Sequence, residues 1–242
     1  MSTHTRMRKQ LNRQKGFTLI EIAIVLVIIG LLLGGVLKGQ ELINTARVRA
    51  LNNSVDGITA AWFSFQDRYR SFPGDYLTAR AVVNLPKVTA GGNGDGQVLT
   101  PAERGLAWVH LQAAGYITGG YTNNAASIAD ADLYVCSTVL CPDNGFGSGM
   151  VIAHGKVQYD SVAATVSAHE LITGQGVPVD VLAELDRKVD DGVAGAGLMQ
   201  IGLGGTTWTT AMAAACVSLV GTVNEYQLQT PSDNCAAVFR NF

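Results

Sequence analysis

The feature that most constrains this chain is the run from Phe17 to Leu37, in which every residue is apolar or small except Thr18 and Glu21, and which Lys38 closes. A helix of that length spans a bilayer. Ahead of it Arg6, Arg8, Lys9, Arg13 and Lys15 place five positive charges, and no acid, before Gly16. Basic flanks stay in the cytoplasm, so residues 1–16 are predicted inside and everything beyond Lys38 outside. The net charge of −2 hides this asymmetry, since the chain after Gly16 carries −7. That balance argues against a body that wraps nucleic acid through a general basic field. A secretory signal has a shorter core than this run and a small-residue cleavage site after it; no good site follows here, and a helical pattern continues instead. A plain signal anchor accounts for everything except Glu21, a carboxylate in an apolar segment that needs a partner or a proton.

Beyond Lys38 the apolar residues Val48, Leu51, Val55, Ile58, Trp62, Phe65, Tyr69 and Phe72 alternate in steps of three and four, one stripe on a helix. The membrane helix is therefore predicted to continue as an amphipathic one until Phe72-Pro73-Gly74-Asp75 breaks it, for a total of roughly 80 Å at 1.5 Å per residue. A coiled coil would give a similar stripe, but the bulky aromatics favour packing on a sheet. After Pro73 short segments are divided by Gly, Asn, Asp and Pro. Helices are expected near Pro101–Ala114 and Val179–Val189, and strands at Leu133–Ser137, Met150–Ala153, Lys156–Tyr159, Leu198–Ile201 and Glu225–Gln229, making an α+β head. Cys136, Cys141, Cys216 and Cys235 all follow the apolar run, are even in number and show no CxxC spacing, as disulfides in an oxidising compartment would. Four cysteines allow three pairings, and spacing chooses none.

The stretch KGFTLIEIAIVLVIIGLLL, residues 15–33, resembles the N-terminus of type IV prepilins and of the related pseudopilins of type II secretion systems. What carries the resemblance is a short basic leader ending in Lys15-Gly16, then Phe17, Thr18-Leu19, Glu21 and the apolar helix. It implies that a membrane-bound prepilin peptidase cuts between Gly16 and Phe17 on the cytoplasmic face and methylates the new amine of Phe17. Glycine at the cut suits a protease that takes the strand extended. The resemblance further implies a pilin-like α+β fold: a leader over residues 1–16, a transmembrane half of the N-terminal helix over 17–37, an amphipathic half over 38–72, and a head over 73–242 built on an antiparallel sheet with long loops. Glu21 then becomes the filament-assembly residue, paired in a low-dielectric bundle with the Phe17 amine of a neighbouring subunit. The implied partners are other pilin subunits, prepilin peptidase, an inner-membrane assembly platform and, before assembly, membrane lipid; no specific nucleic acid is implied. The implied location is the bacterial inner membrane, with the N-terminus cytoplasmic and the head periplasmic, and then a pilus or periplasmic pseudopilus. Cys216 and Cys235 resemble the disulfide that closes the variable loop of many type IV pilins, leaving Cys136 and Cys141 for a second, smaller loop. Many pilins carry a proline where this chain has Lys38; Gly30, Gly34 and Gly35 offer either flexibility or close helix packing in its place.

Two head motifs bear on chemistry. GGNGDGQVLTPAE sets Asn93 and Asp95 in the i, i+2 arrangement of a calcium loop with Glu103 beyond, although Gly91 stands where an Asp is usual and Glu103 comes one residue late. The competing reading is a Gly-rich turn held by Asn and Asp side chains. LDRKVDDG, residues 185–192, reads as a helix exit into a turn. Against an enzyme, the four histidines give no HExxH, Gly147-Ser148-Gly149 is not GxSxG, and the glycine runs lack a P-loop ending. The leading expectation is a structural pilin or minor pilin. The alternatives are a pseudopilin and, from another class, an unprocessed membrane-anchored enzyme or receptor.

Overall fold

The computed structural model describes residues 17–155, 167–220, 223–240 and 242. It divides into two compact units between Ile43 and Asn44. Helix α1, Leu19–Tyr69, contributes to both. In the first unit its apolar side chains are exposed, Leu19 at 88% and Leu31 at 75%, and the helix is long and apolar enough to cross a membrane.

In the second unit the same helix buries Val48, Leu51, Val55, Ile58, Trp62 and Phe65, and Tyr69 and Phe72 pack on the core from its edge. Steps of three and four put these residues on one face. Each large side chain so buried contributes about 1.5–3 kcal/mol, so packing rather than propensity holds this half of the helix. The helix ends where Arg70 enters the left-handed region at φ 53°, its N–H still bonded to the Gln66 carbonyl. Pro73 then prevents resumption.

A four-stranded antiparallel sheet lies at the centre of this unit, in the order β1 (Val151–Gly155), β2 (Ala168–Ile172), β6 (Ala237–Phe239) and β3 (Met199–Ile201). A separate hairpin pairs β4 (Val217–Val220) with β5 (Val223–Tyr226). Both β3 and β6 are buried at every position, so they lack the polar–apolar alternation of a half-exposed strand. Helices α2 (Thr78–Asn84), α3 (Pro101–Ala113), α4 (Val179–Val189) and α5 (Thr210–Ala214) complete the unit. Helix α3 opens with a capping box in which Thr100 and Glu103 satisfy each other's backbone N–H, with Pro101 next to the cap. The arrangement is α+β and pilin-like: a long N-terminal apolar helix with an antiparallel four-stranded sheet and loops.

Two strand expectations need correcting, and a third lies elsewhere. Leu133–Ser137 is not a strand: a 3₁₀ turn at Asp130–Asp132 runs into further turns, with a single bridge between Cys136 and Gly149. The bond between Cys136 and Cys141 explains this, because two residues five apart cannot meet across an extended chain. The strand expected at Glu225–Gln229 starts and ends earlier, at Val223–Tyr226. The strand expected at Lys156–Tyr159 lies outside the described residues.

Candidate functional site

At the start of α1, Thr18 and Glu21 form a capping box. Glu21 Oε2 accepts from the Thr18 N–H at 2.7 Å and from the Thr18 hydroxyl at 2.9 Å, and the Glu21 N–H points back to Thr18 Oγ1 at 3.3 Å. The sequence signal is T-x-x-E before an apolar run, which a reading of Glu21 as a membrane charge and an assembly residue passes over. In this chain by itself the carboxylate thus has local donors, and it fixes where the helix begins. Phe17 precedes the box and is 84% exposed. Gly16 lies outside the described residues. The family model for the prokaryotic N-terminal methylation motif matches residues 11–37, which takes in the basic leader end, Phe17, Glu21 and the apolar helix.

The chain carries the N-terminal methylation motif. This is the signature shared by type IV pilins and pseudopilins, in which it generally goes with processing by a prepilin peptidase and assembly with other subunits. No curated protein and no solved structure matches the chain. The motif accounts for the first unit; the second is read from its own geometry.

In the head, the segments FPGD and GNGDG form one knot. Phe72 stacks on Trp62, ring centroids 5.2 Å apart, and also meets His169 at 4.4 Å. Gly74 adopts φ 94°, and a Cβ there would collide with the Glu103 carbonyl, so no other residue fits. Its N–H donates to His110 Nδ1 at 2.9 Å, and His110 Nε2 donates to the Ala90 carbonyl at 3.2 Å. Asp75, 1% exposed, accepts from the N–H groups of Gly94 at 2.7 Å, Gly96 at 2.9 Å and Asp95 at 3.2 Å. Burial pushes the Asp75 carboxyl up, against the pull of the Gly96 and Gly94 amides. Sequence reasoning missed Asp75 because its partners lie some twenty residues away.

The residues singled out for calcium, Asn93, Asp95 and Glu103, meet around this knot as hydrogen-bonding groups. Asp95 Oδ1 accepts from the Gln97 N–H and Oδ2 from the Asn93 amide, while the Asn93 carbonyl oxygen accepts from the Asp95 N–H. Glu103 Oε2 accepts from Leu99 and Thr100, and Oε1 from Asn93. Every one of these carboxylate oxygens faces an N–H donor, which is turn and cap geometry.

His169 accepts the Val98 N–H at Nε2 and lies against Trp62 and His154. Burial lowers both His110 and His169 to about 4, so both are neutral at ordinary pH, and the adjacent His154 adds to the effect at His169. Cys136 is bonded to Cys141 and Cys216 to Cys235. At the end of α4, Asp186 is fully buried and accepts the Tyr226 hydroxyl at Oδ2, 2.9 Å. Burial raises its carboxyl to about 7; the Tyr226 hydroxyl opposes the rise, the charges of Asp191 and Asp190 add to it, and the Gly192 amide weakly opposes it.

Proposed function

We propose that this chain is a prepilin-type filament subunit, a pilin or minor pilin, cleaved between Gly16 and Phe17, methylated on the Phe17 amine and assembled through α1. The observation that carries the reading is the methylation motif at residues 11–37, laid over a helix whose apolar side chains are exposed from its first turn. An exposed apolar helix is stable in lipid or against other apolar helices, and the same segment serves for both. Before assembly the helix anchors the chain in the inner membrane with the head in the periplasm; in the filament it becomes the core. The role is structural rather than enzymatic.

Glu21 gives the assembly step its register. The Thr18 donors hold the carboxylate at the start of the helix. Cleavage creates a positive amine one residue before Thr18, and a neighbouring subunit staggered along the filament can offer that amine to Glu21. In a low-dielectric bundle the attraction selects the stagger that makes the pair. A pseudopilin of a type II secretion system is the second reading, favoured by α1 running unbroken through Lys38, where many pilins have a proline.

The test is mass spectrometry of the membrane-extracted protein from cells with a functional prepilin peptidase. The expected mature chain begins with methylated Phe17, and an intact leader would refute the reading. In the same cells Glu21→Ala should insert and be cleaved but fail to enter filaments. Filaments on the cell surface support the pilin, and filaments confined to the periplasm support the pseudopilin.

A further inference from the structure

The segment Leu185–Gly192 has no part in filament assembly as described above, yet it gathers an unusual group. The last turn of α4 closes when the Asp190 N–H donates to the Asp186 carbonyl at 2.7 Å, and Asp190 then leaves the helix at φ −146°, ψ −136°. Gly192 follows at φ 77°, turning the chain back. As a result one carboxylate oxygen from each of Asp186, Asp190 and Asp191 lies within 4.8 Å of the other two.

Among the described residues the close hydrogen bonds hold each carboxylate by one oxygen, with only a weak pull from the Gly192 amide besides at Asp186. Asp186 Oδ2 takes the Tyr226 hydroxyl; its Oδ1 is buried and has no hydrogen-bond partner, in a side chain that is 0% exposed. Asp190 Oδ2 accepts from the N–H groups of Leu198 and Met199. Asp191 Oδ1 accepts from the Val193 N–H at 2.8 Å. Among the described residues no lysine or arginine forms an ion pair with any of the three, and the adjacent Lys188 is paired with Glu184. A buried carboxylate oxygen without a donor is costly, and two further carboxylates beside it make it more so. A proton relieves Asp186 alone; the partner that serves all three carboxylates is positive, compact and able to take several oxygens at once.

Those requirements describe a hard divalent cation. Two oxygens bound to one calcium ion at ~2.4 Å lie at most about 4.8 Å apart, and these three fall within that limit of one another. Magnesium demands bonds of about 2.1 Å in a strict octahedron, whereas calcium accepts a looser and more irregular set of oxygens. Asp190 also borders an open groove of about 240 Å³, which gives the ion and its waters a way in.

We propose that Asp186, Asp190 and Asp191 form a calcium site, with Asp186 supplying the inner oxygen and water completing the outer side. The bound ion ties the end of α4 to the start of β3, through the Asp190 bonds to Leu198 and Met199, and to β5 through Tyr226. This inference is independent of leader cleavage and filament assembly.

The test is calorimetric titration of the full chain in detergent, first stripped with a chelator, with calcium chloride. One equivalent should bind with a dissociation constant of about 10⁻⁴–10⁻³ M, the range of extracellular calcium modules, and raise the melting temperature. Asp191→Asn changes an exposed residue and should weaken binding by about tenfold or more. Asp186→Asn should do the same, and Asp95→Ala should leave the titration unchanged. If Asp186→Asn does not fold, Asp191→Asn alone decides. The proposal is overturned if the parent gives neither heat nor a melting shift at several times that concentration, if Asp191→Asn titrates like the parent, or if binding is lost in Asp95→Ala.

Discussion

Replacing Asp75 by alanine removes the acceptor around which the Gly94–Gly96 loop is folded. Three amides donate to that carboxylate, but the Asp95 N–H has a second acceptor in Asn93 Oδ1 at 2.8 Å, so two are stranded, those of Gly94 and Gly96. A hydrogen bond to a charged group contributes about 1.5 kcal/mol at the lower end, giving about 3 kcal/mol for the pair. Part of this is returned, because the variant no longer buries a carboxylate whose pKa burial has raised, and because both glycines lie where water can reach them. The net expectation for Asp75→Ala is about 2 kcal/mol of destabilisation. Asp75→Asn keeps one oxygen and should lose about half as much. Urea unfolding of the detergent-solubilised protein measures this well, because Trp62, Trp108 and Trp208 are all fully buried and report the head through their fluorescence. The midpoint should fall with little change in slope. Amide exchange should accelerate at Gly94 and Gly96 before it does at the buried stripe of α1. A loss below about 0.5 kcal/mol, or exchange at the two glycines no faster than in the parent, would show that the loop does not depend on Asp75.

Two other perturbations probe different parts of the head. His110 and His169 sit near 4 in the fold against an ordinary value of 6.5, so the unfolded chain binds more protons between those limits. Their stabilisation is complete above pH 6.5 and is lost as pH falls towards 4, up to about 3 kcal/mol per histidine. Urea midpoints between pH 7 and 5 should therefore drop with acid, and the drop should be shallower in His110→Phe or His169→Phe; parallel curves would remove the histidines as its cause. The Cys216–Cys235 bond closes a loop with a sequence separation of 19, so replacing both cysteines with serine should cost about 3 kcal/mol in the same assay.

The parts of the fold that could be read from the sequence are those whose physical cause is local. The stripe from Val48 to Phe65 repeats at the helical period, and the helix expected near Pro101–Ala114 is found at Pro101–Ala113. Strand β2 stayed hidden because its sequence, AHELI, places His169 and Glu170 at buried positions, which alternation reads as surface. Strand β6 is only three residues, AVF, and is buried on both faces, so it has neither length nor period to betray it. The turn chemistry of Asn93 and Asp95 was legible as one of two readings, whereas Asp75, which the loop wraps, was not, because the contact depends on tertiary structure. Glu103 was legible only as a calcium ligand, and its hydrogen bonds to Leu99 and Thr100 add the part of a helix cap. The group at Asp186 was read only as a helix exit because its exceptional feature, burial of one carboxylate oxygen, comes from the surrounding core.

The position of β6 sets the order in which this head can be completed. It follows every other described strand along the chain, yet it lies between β2 and β3 and hydrogen-bonds to both. Until residues 237–239 arrive, the β1–β2 pair and β3 have no common neighbour, and the sheet stands open with unpaired edges on either side of the gap. On the topology proposed above, a subunit delivered across the membrane from its N-terminal end carries an unfinished sheet until its last described strand is through. During that interval the gap can accept a strand from another chain, so dilution, a holding chaperone or rapid delivery of the final segment would govern how much protein reaches the native state.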